Sequence, residues 1–471
     1  MTDRTDASTD HGTDEGTERL RVPWSRSDRR LPRLVVRPLQ SFLDTEEAGG
    51  VLLLLAAGAA LLWANLWPGS YESVWHTDLI LRLGSWELSD DLQHWINDGL
   101  MALFFFVVGL EIKRELVVGE LRDPKTAAFP TVAALGGMIV PAAFYLALNA
   151  GGPGVHGWGI PMATDIAFAV GVLALLGRGL PSSLRVFLLS LAIVDDIGAI
   201  LVIAIFYSSG ISWAWLALAA GFLVLIAAAQ RVYVRFTAVY LILGVGTWLA
   251  VYLSGVHATI AGVALGLLTP AMPFQMPGPV SERARRVADR TADTVEHADE
   301  DAHHWLGLAR LSREAVSPLA RIEHALHPWT SYVIIPLFAL ANAGVELGGG
   351  AIGEAATSRV TLGVILGLVA GKILGITLFS WGAVRLGLAR LPSGSGWTQV
   401  TAVSAVAGIG FTVSLFIASL AFTDPEILAA AKVGILAASI VAGAIGAALL
   451  AMSRRRRAAD REPVAEGGAA V

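Results

Sequence analysis

Asp195 and Asp196 stand side by side inside an apolar stretch from Val186 to Tyr207, long enough to cross the hydrocarbon of a bilayer. A carboxylate at the centre of such a helix costs ~2.5–3.5 kcal/mol on the insertion scale. A chain that keeps two of them has a use for the charge, and moving ions or protons is the chemistry that needs it. Neighbours on a helix point about 100° apart, so one of the pair can face an ion path while the other faces a protein partner. Two close carboxylates repel when ionised, and such a site can release a proton when a cation arrives. The plainer reading is a buried, hydrogen-bonded structural pair.

Other residues break the apolar pattern. Gly157-Trp158-Gly159-Ile160-Pro161 runs into Met162-Ala163-Thr164-Asp165. Glycine and proline beside a hydroxyl and a carboxylate suggest a helix interrupted within the membrane, where freed carbonyls, Thr164 and Asp165 offer oxygen ligands. Gly408 and Gly410, in Ala407–Thr412, suggest a second break, with close helix packing as the alternative. Lys372 lies mid-span and must be paired, neutral or facing water, with Asp195 or Asp165 as its natural partner. A salt bridge and a proton-carrying role both remain open for it. Glu111 ends a span in a charged run, an anchor or a mouth that reads pH; Asp98 reads as interfacial and Lys432 as snorkelling. His257, in the tight turn Gly255–Thr259, reads as structural.

These residues need a scaffold of membrane helices, and the composition supplies one. The 471 residues are 55% hydrophobic and 15% charged, with mean hydropathy +0.62, values of a polytopic membrane protein. Net charge is −5 and cysteine is absent, which excludes disulfides, thiolate metal sites and thiol catalysis. Residues 1–45 form a polar tail without a signal-peptide core, 273–321 is an expanded charged loop whose 281–316 stretch is helix-compatible, and 454–471 is a second tail.

Hydropathy predicts spans near 48–67, 95–112, 126–149, 157–177, 184–207, 212–230, 236–253, 254–272, 327–343, 359–384, 396–422 and 427–452. Lysine and arginine alternate across the connections. Lys113, Arg114, Arg122 and Lys125 lie in one and none in the next, and the alternation continues to Arg454–Arg457. The positive-inside rule then gives an all-α protein of twelve crossings within 46–453, with both tails cytoplasmic. Spans three to five and ten to twelve run in opposite senses, the layout of an inverted repeat, with spans four and eleven as the broken, crossing pair.

The chain resembles the NhaA family of bacterial Na⁺/H⁺ antiporters. The resemblance rests on Ile96–Leu116 (INDGLMALFFFVVGLEIKREL), Pro161–Gly177 (PMATDIAFAVGVLALLG), Leu191–Tyr207 (LAIVDDIGAILVIAIFY), Gly255–Gly262 (GVHATIAG), Ile322–Trp329 (IEHALHPW), Gly371–Ile376 (GKILGI) and Gly408–Phe422 (GIGFTVSLFIASLAF). It implies Asp196 as principal Na⁺ and proton ligand with Asp195 beside it, and Thr164 and Asp165 at the helix crossing. It also implies that Lys372 pairs with Asp195 or compensates the crossing. Glu111, His257 and Glu323 match positions linked to pH response. Electrogenic exchange of Na⁺ or Li⁺ for more than one proton in the bacterial inner membrane follows, with no cofactor, lipid as surroundings, homodimers known among relatives and no role for nucleic acid. The long N-terminal tail and the 273–321 loop depart from compact members. An intramembrane aspartyl protease is disfavoured because neither Asp165 nor Asp195 follows a Gly-x-Gly element; a leak channel is the other alternative.

Overall fold

The computed structural model describes residues 48–84, 86–176, 181–208, 210–290, 298–348 and 351–459. The expected tail at 1–45 and most of that at 454–471 lie outside the described residues. Among the described residues the regular structure is helical apart from one hairpin. Among the described residues, seven helices are long and apolar enough to cross a membrane: α1 (Ala48–Leu66), α2 (Leu92–Val117), α3 (Pro124–Asn149), α5 (Ser182–Phe206), α6 (Trp213–Arg231), α13 (Arg359–Arg385) and the apolar part of α16 (Pro425–Ala459). Two further pairs are bent. A 3₁₀ helix at Pro153–Met162 meets α4 (Ile166–Leu176) at 45°, and α14 (Trp397–Val406) meets α15 (Phe411–Ala421) at 49°. Shorter helices are α7 (Thr237–Leu253), α8 (Thr259–Leu268), α11 (Pro318–Trp329) and α12 (Ile335–Asn342). The polar insertion holds α9 (Pro277–Arg290) and α10 (Ala298–Glu314).

The span expected at 254–272 contains a helix only over Thr259–Leu268, because Gly255 adopts φ 79° and Thr269 has already left helical geometry. The all-α expectation holds, with one short hairpin added among the described residues. Strands β1 (Asp78–Leu83) and β2 (Trp86–Asp91) pair antiparallel, with Asp78 opposite Asp91 and Leu83 opposite Trp86, and Gly84 at φ 63° supplies the left-handed turn. Asp91 closes this hairpin and N-caps α2. Its carboxylate accepts from the His94 amide at 2.7 Å, the His94 ring at 2.7 Å and the His76 ring at 2.8 Å. Partial burial pushes the Asp91 carboxyl up, but the hydrogen bonds from His76 and His94 outweigh it and hold the group below the usual carboxylate range.

The helices fall into two sets. One comprises α3, the 3₁₀ helix, α4, α5, α13, α14, α15 and α16; the other comprises α1, α2, α6, α7, α8, α11 and α12. Packing is dense within each set and sparse between them, where α12 meets α15, α2 meets α5 and α1 meets α4. In lipid there is no hydrophobic force between helices, so close backbone approach does the work. A Cβ on Gly136 would lie 2.2 Å from the Gly375 carbonyl oxygen, across the α3–α13 contact, and one on Gly266 2.6 Å from the Phe106 carbonyl oxygen, across α8–α2. Leu54, Leu62, Ile205, Phe206, Val224, Leu241 and Ile242 are exposed, the apolar outer coat expected of a chain that faces lipid. Inside, Thr164, Asp165, Asp195, Asp196 and Lys372 are all buried.

Candidate ion-binding site

The site forms where the two bent pairs meet. The 3₁₀ helix stops at Met162 and α4 starts at Ile166; α14 stops at Val406 and α15 starts at Phe411. Each break leaves backbone amides and carbonyls without helical partners. The breaks satisfy part of each other's demand: the Asp165 amide donates to the Ile409 carbonyl at 2.7 Å, and the Ser414 hydroxyl to the Ile160 carbonyl at 2.8 Å. A Cβ on Gly410 would fall 3.2 Å from the Ala163 carbonyl oxygen, and one on Gly408 2.3 Å from that of Leu368. Both glycines therefore stand where other backbone passes closely.

One carboxylate serves both helix starts. Asp165 Oδ1 accepts from the Phe168 amide at 3.0 Å, capping α4. Its Oδ2 accepts from the Thr412 amide at 3.1 Å and the Thr412 hydroxyl at 2.6 Å, capping α15. A negative group between two helix N-termini meets the positive ends of both dipoles. Thr412 was not among the residues singled out in the sequence; a hydroxyl second in a helix that follows a Gly-x-Gly break was its only signal.

Lys372 answers the opposite polarity. It follows a π-helical turn at Gly367–Gly371 in α13, a local widening frequent at functional sites. Its ammonium donates to the Met162 carbonyl, at the negative end of the 3₁₀ helix, to the Thr164 hydroxyl at 3.0 Å and to Asp195 Oδ2 at 2.5 Å. All three N–H directions are used. Of the two partners considered, the structure pairs Lys372 with Asp195. Thr164 Oγ1 lies 2.7 Å from Asp195 Oδ2 and 2.8 Å from the Ala407 carbonyl oxygen, and its single proton can serve one of them at a time.

Asp196 differs from its neighbour. It is only 5% exposed, yet among the described residues no donor meets its carboxylate, and its Oδ1 is a buried oxygen without a partner, as is Asp195 Oδ1. Buried polar atoms are nearly always hydrogen-bonded, so two such oxygens on adjacent residues set this pair apart. The charges around Asp196 are Asp195, Glu111, Asp165 and Lys372. Among the described residues no group of three or more His, Asp or Glu side chains is arranged to hold a metal ion. Two carboxylates with nearby hydroxyl and carbonyl oxygens form a hard donor set.

The remaining candidates separate. Glu111, half-buried on α2, lies among Glu323, Arg114 and Glu115, and Arg114 forms an ion pair with Glu323 on α11. His257 is at the other end of the molecule, where its Nε2 meets the Tyr207 carbonyl at 2.7 Å. Glu111 and Glu323 therefore share one cluster that His257 does not join.

The fold and site define a class, that of polytopic membrane proteins built around crossed broken helices. The chain belongs to the Na⁺/H⁺ antiporter 1 family, whose sequence profile matches residues 40–450. It is 51% identical to Na⁺/H⁺ antiporter NhaA 2 of Sorangium cellulosum, over 89% of this chain and 91% of that protein. It is 49% identical to Na⁺/H⁺ antiporter NhaA of Rhodopirellula baltica, over 92% and 96% respectively. To Na⁺/H⁺ antiporter NhaA of a Janthinobacterium species it is 48% identical, over 87% and 92%.

Proposed function

We propose that the protein is a Na⁺/H⁺ antiporter of the bacterial cytoplasmic membrane that exports Na⁺ or Li⁺ in exchange for protons. The observation that carries this reading is the buried Asp196 carboxylate with no protein donor, beside Asp195, at the crossing of two broken helices. From the cytoplasmic side Na⁺ displaces protons from Asp196 and Asp195; the helix sets then shift and open the site outward, where protons displace Na⁺. Occupancy by one or the other couples the fluxes. An enzymatic role has no comparable support, since Asp165 and Asp195, the two acids a protease would need, are engaged in helix capping and in the Lys372 pair.

Counting each bent pair once and adding α7, α8 and the α11–α12 run to the seven long helices brings the crossings to twelve. In both α3–α5 and α13–α16 a long helix, a bent pair and a long helix follow in order, which supports the inverted repeat. The arginine-bearing connections support a cytoplasmic Arg114 end and cytoplasmic tails. Exchange of more than one proton per cation makes transport electrogenic, and the Glu111–Arg114–Glu323 cluster at the cytoplasmic end makes it responsive to pH.

The test is collapse of an imposed pH gradient in vesicles on adding Na⁺, Li⁺ or K⁺. The parent should respond to Na⁺ and Li⁺, and Asp196→Asn should fall to background. Full exchange by Asp196→Asn would remove the assignment. Proton leak without added cation would favour a channel.

A further inference from the structure

The chain passes from one helix set to the other directly between Tyr207, the residue after α5, and Ser212, the residue before α6. Tyr207 is bonded on both sides of that boundary. Its hydroxyl donates to the His156 carbonyl at 2.7 Å and accepts from the Gly159 amide at 3.2 Å, gripping the 3₁₀ half of the broken helix. A Cβ on Gly159 would lie 2.7 Å from that hydroxyl, so the fit is close. Phe206 adds an edge-to-face contact with Trp158, ring centres 5.0 Å apart. On the other side, the Tyr207 carbonyl accepts from His257 Nε2, in the turn before α8 of the second set. The same turn region holds the far end of the crossing segment, because the Ser212 amide donates to the Ser254 carbonyl at 2.8 Å.

We infer that Tyr207 is a positioning residue for transport: it pins the 3₁₀ half-helix to the second helix set at the outer face, and its bond from His257 must yield when the site opens outward. This rests on the alternating exposure proposed above. Tyr207 touches neither Asp195, Asp196 nor Lys372, so it acts through the helix that ends at Met162, whose carbonyl Lys372 holds. The bond requires a proton on Nε2. Because contacts between the sets are few, one bond at the boundary weighs on the balance between the two conformations.

A pin that favours one conformation lowers the apparent affinity at one face and raises it at the other. The experiment measures half-saturating Na⁺ from each side in vesicles of known orientation, per folded transporter, for Tyr207→Phe, His257→Ala, their double variant and His257→Gln. Tyr207→Phe removes the grip on His156 and Gly159; His257→Ala removes the bond to the carbonyl; His257→Gln keeps an N–H donor. The two disrupting variants should each raise the cytoplasmic half-saturation several-fold and lower the external one by a similar factor. The double variant should go no further than the larger single change, and His257→Gln should stay close to the parent. Equal shifts at both faces, no shift in a folded variant, or fully additive effects overturn the inference. If His257→Ala fails to fold, Tyr207→Phe decides alone. Failure of the parent itself to exchange Na⁺ for protons would sink the functional reading, whereas an active parent with unaffected variants sinks only the pin.

Discussion

At the scale of residues, Asp195 and Asp196 show how one helical step separates two roles. Asp195 Oδ2 is taken up by Lys372 and Thr164, while Asp196 keeps its oxygens clear of protein donors. The adjacency of the two acids, and their divergence by one helical step, were legible in the sequence. Which partner Lys372 would take was not, because Asp165 and Asp195 were equally plausible until the breaks were located in space. Removing one member of a buried ion pair leaves the other uncompensated, at about 3–5 kcal/mol, whereas removing both costs far less. Lys372→Ala should therefore strongly lower the melting temperature of the purified protein, and adding Asp195→Asn should recover a large part of the loss. Simple additivity of the two substitutions would show that the pair carries no coupling.

At the scale of elements, the two breaks were readable from glycine, proline and polar residues within apolar runs. What could not be read was that Asp165 caps both α4 and α15, since that depends on a contact with Thr412 across 247 positions. A helix cap is worth about 0.5–2 kcal/mol, and Asp165→Ala removes two. Amide hydrogen exchange should accelerate at the starts of both α4 and α15, near 166–169 and 411–414, and a change confined to α4 would refute the shared cap. The β1–β2 hairpin escaped the sequence reading because its short, mixed run resembles a connection. Its anchor gives a pH-dependent prediction. The folded-state pKa of Asp91 is depressed, so its contribution is present above the unfolded carboxylate value near ~3.9 and disappears as pH falls through the lower folded value. Asp91→Ala should cost about 1 kcal/mol at neutral pH, read by hydrogen exchange in the hairpin, with the gap to the parent narrowing in strong acid. A gap that widened on acidification would contradict that sign.

At the scale of the whole molecule, the apolar runs foretold a bundle of membrane helices, and the long helices and bent pairs occupy most of the expected intervals. The division into two sparsely joined sets was invisible beforehand, because it is a property of packing between glycine-lined backbones and leaves no periodic trace. The joint between the breaks has a consequence for how the protein is made. Ser414 reaches Ile160 across 254 positions and Thr412 reaches Asp165 across 247. At roughly 5–20 residues per second of synthesis, Asp165 waits about 10–50 s after leaving the ribosome before its second helix exists. During that interval an acid destined for the protein interior lacks both Thr412 donors, so the nascent chain must shelter it in water or at the insertion machinery. Assembly of the candidate site is thereby a late event in biosynthesis, and chains truncated before α15 should be retained or degraded even when every earlier helix has been inserted.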